Sequence, residues 1–132
     1  MHKSTNSNIL NYSPALIKEF SFNELYYFSE RAIINKDYVG LQYLMENMSE
    51  NLSTSTPLSE AIERMDIKAV KIITDAVKNS DNSYYSNGSY INKWLIDSIF
   101  ENQLEFKFLE LTENELEERQ IEIFKILLNS KS

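Results

Sequence analysis

The chain has 132 residues, 42% hydrophobic and 25% charged, which is enough apolar material for one globular domain. It has no cysteine and one histidine, His2, which excludes disulfides, thiolate metal sites and histidine metal clusters and makes histidine-based catalysis improbable. The net charge is −7, and Glu101 to Leu128 carries much of it, with eight acidic and three basic residues, so nucleic acid and anionic membranes are repelled and basic proteins attracted.

Residues 1–12 are polar and read as a flexible tail. They hold no apolar run of signal-peptide length, and no later stretch is apolar enough to span a membrane, so the expected location is cytoplasmic. Ser13-Pro14 reads as a cap followed by a first-turn proline, opening a short helix with Leu16, Ile17 and Phe20. Ser21 and Glu24 form a capping box, and the helix behind it places Leu25, Phe28, Ala32 and Ile33 on one face. After a break at Asn35-Lys36-Asp37, Tyr38, Leu41, Leu44, Met45 and Met48 recur at helical spacing.

A polar connector at 49–55 leads to a second helix pair. Thr56 is the expected cap and Pro57 fits the first turn, where no backbone N–H is needed. Leu58, Ala61 and Ile62 share a face, Met65-Asp66 breaks the run, and Ala69, Val70, Ile73, Ala76 and Val77 line a longer helix. Lys68, Lys71 and Asp75 lie off that face. The two pairs align at an offset of 29 residues, with Ala32-Ile33 answering Ala61-Ile62 and Asp37 answering Asp66.

Residues 79–90 form the longest connector. Asn87-Gly88 signals a tight hairpin turn within 83–91, flanked by Tyr84, Tyr85 and Tyr90, which serve equally well as contact residues or as exposed tyrosines of a surface loop. Trp94, Leu95, Ile96, Ile99 and Phe100 make a further short helix, with Trp94 in the core. Gln103 to Leu111 is open between helix and strand, because Leu104, Phe106 and Phe108 alternate with Glu105 and Lys107. Thr112 and Glu115 form a second capping box, opening a last helix to about Asn129.

The Thr56-Pro57-Leu58 start, the Ala61-Ile62 pair and the Val70-Lys71-Ile72-Ile73 run together resemble an ankyrin repeat over about 25 residues. The resemblance implies an all-α short solenoid of stacked antiparallel helix pairs, about three to four degenerate repeats in a single domain. It implies a helix at 103–111, a hairpin finger at 83–91, and a degenerate fourth repeat ending in the last helix. Ser59 replaces the family's usual histidine. Its turn glycine is replaced by Lys36, Met65, Asn102 and Arg119, of which Asn102 alone is a residue that readily turns left-handed.

A protein-binding module follows from the resemblance and from the chemistry that is missing. The isolated Gly40 and Gly88 build no phosphate loop, and no calcium-loop spacing occurs. Lys68 and Lys71 are too few for a nucleic-acid surface. The expected contacts are Tyr84, Tyr85, Asn87 and Tyr90 in the finger, with Glu113, Glu115, Glu117 and Glu118 as steering charges. No cofactor, metal or catalytic residue is expected. The most concrete version is an acidic immunity-type inhibitor that neutralises a basic protein such as a toxin. The alternatives are a self-associating structural subunit or effector adaptor and, last, an enzyme with paired carboxylates drawn from Glu113, Glu115, Glu117, Glu118 and Glu122, which read first as a solvated helix face.

Overall fold

The computed structural model describes residues 8–49, 55–78, 93–101 and 110–131, and these are helical with short turns. A single 3-10 turn at Asn8–Asn11 precedes α1 (Pro14–Ile17), α2 (Phe22–Ile34) and α3 (Tyr38–Asn47). Then come α4 (Ser55–Glu63), α5 (Ile67–Lys78), α6 (Lys93–Glu101) and α7 (Glu113–Lys131). The helix starts follow local chemistry. Ser13 accepts from the Leu16 amide at 3.2 Å. The Ser21–Glu24 capping box closes at both bonds, as does the Thr112–Glu115 box. The start of α4 differs by one residue from the expected Thr56 cap: the helix already includes Ser55, and Pro57 remains inside the first turn, where it removes no helical bond.

Two turns share one hydrogen-bond pattern. Lys36 and Met65 both have positive φ, 56° and 53°. The Asp37 amide donates to the Ala32 carbonyl at 2.8 Å and the Asp66 amide to that of Ala61 at 2.9 Å. The Lys36 and Met65 amides donate to Ile33 and Ile62. Each is a Schellman ending, and each aspartate then caps the next helix through the Gly40 or Ala69 amide.

The helices stand in two rows. α2 packs on α4 and α4 on α6, while α3 packs on α5 and α5 on α7. α2 with α3, α4 with α5 and α6 with α7 are joined across the rows. The core between them is built from Leu25, Ile33, Leu41, Leu44, Leu58, Ile62, Met65, Ile73, Leu95, Ile99, Ile123 and Leu127. From Thr56 through Ile67 no residue is exposed: Pro57, Leu58, Glu60, Ala61 and Ile62 of α4 are buried, and Thr56, Ser59 and Glu63 are half-buried.

Two expectations change. Arg119 is not at a turn: α7 runs unbroken through it for 19 residues, because the Thr112–Glu115 box starts the helix upstream and no breaker follows. The described residues therefore carry three helix pairs, with α7 in the row of second helices. The expected tail is also packed in part. Ile9 is in the core, Tyr12 meets Phe20 and Phe28 edge-on, and the Tyr43 hydroxyl donates to the Tyr12 carbonyl at 2.6 Å. Apolar anchors within the polar stretch account for this. The hairpin at 83–91, the 103–109 stretch, Asn102 and the Trp94 side chain lie outside the described residues.

Candidate functional site

Three surfaces bring chemistry-bearing side chains together. The first is the edge formed by the turns. Asp66 is a buried carboxylate, held there because both oxygens are used. The Tyr38 hydroxyl donates to them at 3.1 and 2.9 Å, the Ala69 amide donates at 3.1 Å, and the Lys36 ammonium stands 3.9 Å away. Burial, then the hydrogen bond to Asp66 and its negative charge, push the Tyr38 phenol up from 10.0 to about 12. Lys68 lies 5.0 Å from the centre of the Tyr38 ring. Arg119 reaches in from α7 and donates to the Met65 carbonyl at 3.1 Å. This edge links all three helix pairs.

The second surface is the exposed side of α7. Glu113, Glu117, Glu118 and Glu122 are all exposed, and none forms an ion pair among the described residues. Glu115 is exposed too, but its carboxylate accepts from the Thr112 amide at 2.9 Å. That bond, then the contact with the Thr112 hydroxyl, holds its pKa below the ordinary carboxylate value. Of the four expected steering charges, Glu113, Glu117 and Glu118 are thus open to a partner, while Glu115 is occupied as a cap.

The third surface is on α2, where Phe22, Tyr26 and Tyr27 are exposed. The Tyr26 hydroxyl donates to Glu30 at 3.1 Å, and the Arg31 guanidinium lies 5.6 Å from the Tyr27 ring centre. Aromatic side chains with arginine are enriched in protein interfaces. The sequence does hold the signal for this face, since these aromatics fall off the stripe of Leu25, Ala32 and Ile33. The Tyr38–Asp66 contact has no comparable sequence signal, because it joins two turns 28 residues apart.

The expected contacts Tyr84, Tyr85, Asn87 and Tyr90 lie outside the described residues. Among the described residues no group of three or more histidines, cysteines, aspartates or glutamates is placed to hold a metal ion, and no helix is long and apolar enough to cross a membrane. No family model matches the chain, and no curated protein or solved structure is significantly similar to it.

Proposed function

We propose that the chain is a non-catalytic protein-binding module whose partner is basic. The observation that carries this reading is the set of exposed carboxylates Glu113, Glu117, Glu118 and Glu122 on α7, unpaired among the described residues, in a chain of net charge −7. Such a field raises the rate of encounter with a positively charged protein and loses strength with salt. The aromatic face of α2 supplies the contact area that charge alone lacks. In the finer form of the proposal the chain is an ankyrin-like inhibitor of immunity type. It masks a basic toxin, with Tyr84, Tyr85, Asn87 and Tyr90 among its contacts. That form draws on the sequence resemblance and on the two turns of identical hydrogen bonding.

Affinity capture with the purified chain, at low and at moderate salt, tests the reading. The expected result is one basic protein, retained at low salt and lost when Glu113, Glu117 and Glu118 are replaced together by glutamine. A partner that binds the glutamine variant as well as the native chain overturns it.

A further inference from the structure

We draw no further inference here: the strongest candidate, the apolar strip that Ile121, half-buried Phe124 and Leu128 of α7 form beside Phe100 of α6, carries nothing because no feature of the structure shows what covers it.

Discussion

Asp66 does at one position what Asp37 does, and one thing more. Both cap a helix through an amide three residues on, but Asp66 is also buried and receives the Tyr38 hydroxyl. Asp37→Ala should therefore cost about 1 kcal/mol, the ordinary loss of a cap. Asp66→Ala should cost about 2–3 kcal/mol, because the Tyr38 hydroxyl also loses its acceptor in a partly buried place. Urea unfolding of the two variants side by side checks the difference. Tyr38 adds a pH signature. Its phenol titrates near 12 in the folded chain and near 10.0 when free. The folded state therefore holds this proton more tightly, and the stability it confers is complete below about pH 10 and declines as pH rises from there toward 12. Tyr38→Phe should flatten that alkaline decline in a series of unfolding curves. A decline equal in the two proteins would remove Tyr38 as its source.

At the scale of the elements, the two left-handed turn residues respond oppositely to glycine. Lys36 is largely exposed, with its side chain only loosely tied to Asp66 at 3.9 Å. Lys36→Gly should stabilise by about 1 kcal/mol by removing the cost of a side chain at positive φ. Met65 has the same backbone but a fully buried side chain. Met65→Gly gains the same relief and opens a cavity, with a net loss of about 2–4 kcal/mol. Thermal melts of both variants decide the matter. Most of the elements were legible beforehand, because caps and apolar spacing are local. Ser13, Ser21 with Glu24, and Thr112 with Glu115 mark helix starts that the structure retains. The pairing of Asp37 with Asp66 was legible for the same reason. The turn expected at Arg119 came from alignment with a repeat and had no breaker to support it. Its long side chain bonds a carbonyl 54 residues away in sequence, which no local pattern encodes. The packing of Ile9 and Tyr12 was missed because a polar composition hides two anchors that find their partners only in the fold.

For the molecule as a whole, the candidate surfaces were legible unevenly. The acidic side of α7 could be read from charge and helical spacing alone, whereas the loss of Glu115 to a cap needed its capping box to be weighed against its charge. The turn edge needed the helix pairs to be stacked before its residues met. Arg119 tests that stacking, since its guanidinium ties α7 to the α4–α5 turn. Arg119→Met keeps much of the aliphatic stem and loses the bond to the Met65 carbonyl, with an expected cost of about 1–2 kcal/mol in urea unfolding.

The burial of α4 among its neighbours has a consequence in time. Hydrogen exchange at an amide requires an opening, and a helix enclosed by its neighbours opens only when they leave. The central amides of α4 should therefore be the last in the chain to exchange, at a rate set by complete unfolding, while the four-residue α1 exchanges through local fraying. The ends of such a stack come apart and re-form many times for each loss of its middle. A protease that samples the folded chain should reach α1 long before it reaches the helix that holds the stack together.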